Sequence, residues 1–132
     1  MRKSVRVLRI EKALRRHSSA PRAESLARFF KTGPGEYSEG DRFLGLTMPR
    51  IRALAHECDD LTLSDVEVLL ESPWHESRSL AVVLLADRYA KSDTRARQAI
   101  YALYLRRTDR INNWDLVDIS APNVVGAHML TR

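Results

Sequence analysis

The sequence predicts an all-α fold, and three observations predict it. No stretch shows the alternating β-branched and aromatic pattern of a half-buried strand bounded by turn residues. Apolar residues instead recur at three- and four-residue spacing along most of the chain, behind openings of Ser, Thr, Asp, Asn or Pro. The periodic stretches are short, about 10–15 residues, with short links, which makes sequential neighbours antiparallel. One pair falls every thirty to forty residues or so, which fits HEAT-like helix pairs stacked into a short curved α-solenoid, with a compact irregular bundle as the alternative. The whole chain, residues 1–132, reads as one such domain.

The elements follow in order. Val7, Ile10 and Leu14 form an apolar stripe on a first helix over residues 4–17. Pro21 opens a second helix that ends near Lys31 and turns Leu26, Phe29 and Phe30 inward. The run TGPGEYSEGDR, Thr32 to Arg42, carries three glycines and a proline and is the one long loop. Thr47 caps a third helix with Pro49 in its first turn and Ile51, Leu54 and Ala55 buried. Thr62 and Asp65 have capping-box spacing, with Asp in place of Glu, ahead of Val66, Leu69 and Leu70. Ser72 and Pro73 start the longest helix, which runs to Lys91. Its centre, LAVVLLA from Leu80 to Ala86, is apolar nearly all round and should be the central buried element. Asp93 caps a helix through Ile100, Leu103 and Tyr104. Asn112 caps one that holds Trp114, and Pro122 opens a last one with Val124, Val125 and Leu130.

Composition narrows the function classes. The single cysteine, Cys58, rules out an internal disulfide, fits a reducing compartment such as the cytoplasm, and reads as a core or surface thiol rather than a nucleophile. No apolar run approaches the roughly eighteen residues of a membrane span. His56, His75 and His128 lack metal-ligand spacing, and Cys58 does not complete a zinc set. The net charge of +5 points to a polyanionic partner. Ten basic residues against two acids fall in the first 31 positions, so that segment carries +8 and the remainder −3. A solvated helix face and a phosphate-contacting face both fit that terminus, and an Arg-rich targeting presequence is a third, weaker reading, because the pattern runs unbroken into a structural helix.

The run INNWDLVD, Ile111 to Asp118, is the most pointed motif. Trp114 and Asp118 stand four residues apart, one helical turn, with Val117 on the same face. A carboxylate on a half-apolar face beside an indole is costly unless a cation meets it. On its own the pattern also fits a core tryptophan and a surface acid paired with Arg110. Trp74 reads as a packing anchor.

Three segments together resemble the AlkD-type DNA alkylation repair family: RFFKTGPGEYSEGDRFLGLTMPRIRALA (Arg28 to Ala55), SPWHESRSLAVVLL (Ser72 to Leu85) and TDRINNWDLVDISAPNVVG (Thr108 to Gly126). The likeness runs from about Arg22 to the C-terminus, with INNWDLVD its most specific element. The resemblance implies a HEAT-like solenoid whose basic concave face holds duplex DNA. It implies a glycosylase that hydrolyses the N-glycosidic bond of cationic alkylpurines, chiefly 3-methyladenine and 7-methylguanine, with no metal or nucleotide cofactor. The lesion stays stacked, unlike the flipped bases of most glycosylases.

By that resemblance Asp118 faces the deoxyribose of the damaged nucleotide and Trp114 packs on the sugar-phosphate backbone, making both catalytic and Trp114 also DNA-binding. Departure of the cationic base leaves an oxocarbenium-like sugar, the electrostatic problem that glycosidases also face. A fixed carboxylate about 4 Å away gains roughly 4 kcal/mol at an effective dielectric of 20. Present only in the transition state, that gain is worth about a thousandfold in rate. The start of the third helix, LTMPRIR, matches the part that meets the strand opposite the lesion. That gives Thr47 and Arg52 DNA-binding roles, beside plain ones as a cap and a solvated charge.

The family's active face also takes an arginine and a second tryptophan from later helices, with no counterpart before Arg132. The chain therefore reads as the front part of the longer family fold. A truncated, non-catalytic module that binds nucleic acid or protein is the alternative reading. The expected partner is double-stranded DNA with alkylated purines, with no membrane and no metal. A complete protein is expected to be a monomer, and an uncapped C-terminal end to invite self-association.

Overall fold

The computed structural model describes residues 2–30 and 41–111, with Val124, Gly126 and His128. The described residues form α1 (Val5–Arg16), α2 (Ala20–Phe29), α3 (Met48–Ala55), α4 (Leu63–Leu70), α5 (His75–Lys91), α6 (Thr94–Arg106) and a 3₁₀ turn (Thr108–Arg110). Among them there is no strand, only one isolated bridge between Arg42 and Trp74. The all-α class and the packing of helix on helix are those expected of a HEAT-like series.

Five helices are opened by a side chain that accepts a hydrogen bond from the first turn: Ser4, Ser19, Thr47, Thr62 and Asp93. The box at α4 is complete. The Thr62 hydroxyl accepts from the Asp65 N–H, and the Asp65 carboxylate accepts from the Thr62 N–H. Asp65 also accepts from the Ser4 hydroxyl and the Arg6 guanidinium, which ties the start of α1 to the start of α4.

The longest helix, α5, starts two residues beyond Pro73, and no side chain caps it. The Ser72 hydroxyl accepts from the Trp74 N–H, so Ser72 and Pro73, expected to start the helix, form a turn ahead of it. The His75 N–H is met by the Arg42 carbonyl at 2.7 Å, so backbone from a distant segment does the work of a cap. Trp74 thus sits at the cap position, half-buried.

Leu80 to Ala86 are all buried, and α5 packs against α1, α3, α4 and α6 as the centre of the core. Cys58 lies in this core, fully buried, its thiol donating to the Leu54 carbonyl. Burial pushes that thiol up to about 11, against the pull of Arg9 and Arg88. The helix α2 lies at the surface with no buried residue. Phe30 does turn inward, stacking on Phe43 and lying tilted against His75, but Phe29 is 76 % exposed and meets Phe30 edge to face. Phe29 sits one residue off the Leu26–Phe30 line, at the border of the apolar stripe. No helix of the described residues is long and apolar enough to cross a membrane.

Candidate nucleic-acid interface

The sequence places four residues at the site. Two of them, Trp114 and Asp118, lie outside the described residues, as do most of the long loop and the helix starts at Asn112 and Pro122. The described residues on either side of that stretch are Ile111 and Val124, and both are buried. Tyr89 and Tyr101 fix His128 beyond it: the Tyr89 hydroxyl lies 2.9 Å from Nδ1, and the Tyr101 ring stacks on the imidazole at 4.0 Å.

Thr47 and Arg52 are both on α3 and both exposed. Thr47 is its N-cap, the hydroxyl oxygen accepting from the Arg50 N–H at 3.3 Å. Its hydroxyl hydrogen remains a donor. Arg52 lies in the last turn and makes no ion pair among the described residues. The two residues therefore mark opposite ends of a two-turn helix and do not converge on one point.

The fold instead gathers other cations around Thr47. A recess of about 210 Å³ is lined by His17, Arg22, Leu46, Thr47 and Arg50. These come from the end of α1, the start of α2 and the start of α3. The helix N-terminus adds partial positive charge at the same place. A neighbouring recess of about 300 Å³ reaches inward along Leu26, Phe30, Met48 and Ile51 to Ser79, and its walls are mainly apolar. Arg22 and Arg50 carry no sequence signal beyond their charge, because it is the path of the chain between α2 and α3 that brings them together.

That path is fixed tightly. Gly45 adopts φ +91°, and a Cβ there would stand 2.1 Å from the Ser19 carbonyl oxygen. Only glycine fits. The Ser19 N–H donates to the Leu44 carbonyl at 2.9 Å, and Arg22 donates to the Gly45 carbonyl at 3.2 Å. From the other side, the start of α5 holds the same segment. The Glu76 carboxylate, 1 % exposed, accepts from the N–H groups of Leu44, Gly45 and Leu46 at 2.8, 2.9 and 3.3 Å. Asp41 meets His75 Nδ1 at 3.1 Å and accepts from the Arg78 guanidinium. Burial pushes the Asp41 carboxyl up, but its bonds to His75 and Arg78 outweigh this and hold it below the usual carboxylate range. The motif HESR, His75 to Arg78, thus grips residues 41–46 just before Thr47.

Not all the N-terminal charge is left unpaired. Lys3 pairs with Glu11, Arg6 with Asp65, and Arg9 with Asp60. Arg2, Lys12, Arg15, Arg16 and Arg28 are exposed and unpaired among the described residues. Part of the basic terminus is therefore structural, and the rest is available to an anion.

A family model described as DNA alkylation repair enzyme matches residues 10–132. Comparison with curated proteins and with solved structures gives no match. The model takes in α3, the HESR grip and the INNWDLVD run, and begins within α1. The chain belongs to the DNA alkylation repair enzyme family.

Proposed function

We propose that this chain acts on duplex DNA as a glycosylase, hydrolysing the N-glycosidic bond of cationic alkylpurines such as 3-methyladenine and 7-methylguanine and leaving an abasic site. The observation that carries the reading is the pair Trp114 and Asp118, one helical turn apart in sequence within the span matched by the family. In this reading Asp118 stabilises the positive charge that grows on the sugar as the base leaves, and orients the attacking water. Trp114 excludes solvent and holds the sugar. The cationic recess around Thr47, with Arg22 and Arg50, supports contact with backbone phosphate.

Base release from methylated duplex DNA tests the proposal. The wild-type chain is expected to release 3-methyladenine and 7-methylguanine. Asp118→Asn should slow release by about a thousandfold, the worth of one transition-state charge contact, with DNA affinity equal or higher. Release unchanged in Asp118→Asn would sink the catalytic assignment. Salt-sensitive DNA binding with no base released at any protein concentration would leave the binding-module reading in its place.

A further inference from the structure

The HESR motif is among the segments by which the chain resembles its family, yet no role in chemistry falls to it. Its glutamate is unusual. Glu76 is 1 % exposed, and the partners of its carboxylate are three consecutive main-chain N–H groups, at Leu44, Gly45 and Leu46. A buried anion is costly unless its lone pairs are met, and here the backbone meets them. The three amides immediately precede Thr47, the cap of α3. Glu76 itself stands in the first turn of α5, the helix at the centre of the core. The carboxylate thus links the central buried helix of the fold to the start of the helix that carries Thr47 and Arg50.

We infer that Glu76 is a positioning residue for DNA binding: it fixes residues 44–46 so that Thr47 and Arg50, at the start of α3, meet the DNA backbone in one geometry. The inference rests on the proposed DNA role of that helix start. Contacts held to a fraction of an ångström need support of this kind, and a loop pinned only by its ends would not provide it. Glu76→Gln is the sharp probe. It keeps size and shape but turns one acceptor oxygen into an NH₂ that faces N–H donors.

The test measures binding of a fluorescently labelled duplex at a temperature where every variant is folded. Glu76→Gln should bind about tenfold more weakly, since small displacements of a positioned contact cost that much or more. Thr47→Ala should weaken binding too, and the double variant should lose less than the two single losses combined. Leu103→Ala, a core variant on α6, should lose stability and keep its DNA affinity. Glu76→Gln at wild-type affinity overturns the inference, and so do strictly additive losses with Thr47→Ala. A wild-type chain that does not bind duplex DNA overturns the underlying reading and this inference with it. Amide exchange in the wild-type protein gives a second measurement that needs no variant. Duplex DNA should slow exchange at Leu44, Gly45 and Leu46, and unchanged exchange there would equally overturn the inference.

Discussion

Asp65 shows how much one side chain contributes in this fold. It completes the box at α4, accepts from Ser4 at the start of α1, and holds Arg6. Burial pushes its carboxyl up, but the bonds from Arg6, the Thr62 N–H and Ser4 outweigh that and lower it from 3.8 to about 2. A depressed folded-state value means that the stabilisation is complete above the ordinary carboxylate range and is lost as pH falls towards the folded value. Between pH ~4 and ~2 the protein should lose about 1–2 kcal/mol from this residue alone. Thermal melts across that window should show the fall, and Asp65→Asn should flatten it while lowering stability at neutral pH. The box itself is legible in the sequence because Thr62 and Asp65 are three residues apart. The link to α1 is not, because Ser4 lies 61 positions away.

At the scale of elements, local signals read well and distant ones do not. Thr and Asp caps mark the starts of α3, α4 and α6 because a cap and its target lie within one turn. The start of α5 escapes that logic, since the group that satisfies His75 comes from Arg42. Phe29 escapes it as well, because periodicity fixes a stripe but not how much of its border a neighbour covers. The connection into α3 offers the clearest test at this scale. Gly45→Ala forces an alanine to φ +91° and drives its Cβ into the Ser19 carbonyl. The conformational strain alone is about 1–3 kcal/mol, and the overlap adds to it. Urea denaturation should show a loss above that range, and a variant as stable as wild type would mean that this turn has another accessible shape.

Across the whole molecule, charge is sorted by the fold rather than by sequence position. The stretch from Glu57 to Glu76 holds seven acids and no lysine or arginine. It draws in Arg6 and Arg9 from α1, Arg106 from the last turn of α6 and Arg107 from its C-cap. The N-terminal basicity visible in the sequence therefore divides into two sets, which only tertiary structure separates. Replacing Lys12, Arg15 and Arg16 by Gln should weaken DNA binding and reduce its salt dependence, by about one unit of log–log slope for each phosphate contact removed. Arg9→Gln should leave both unchanged. Binding titrations at several salt concentrations check this, and equal effects of the two sets would show that net charge alone matters. The candidate site was legible in the same divided way. Thr47, Arg52, Trp114 and Asp118 follow from motifs, whereas the recess that joins Thr47 to His17, Arg22 and Arg50 depends on how α1, α2 and α3 meet.

The grip of Glu76 on Leu44 spans 32 residues of chain and encloses both α3 and α4. Closing a span of that length costs entropy before its contacts repay any of it. The two helices inside the span are held by local hydrogen bonds and are free to form first. The grip should then be absent from the folding transition state, so that weakening it changes how fast the native protein opens and not how fast it forms. In stopped-flow measurements Glu76→Gln should raise the unfolding rate while the refolding limb superimposes on that of the wild type. The carboxylate would then act as a latch on the lifetime of the native state, closing last and opening first.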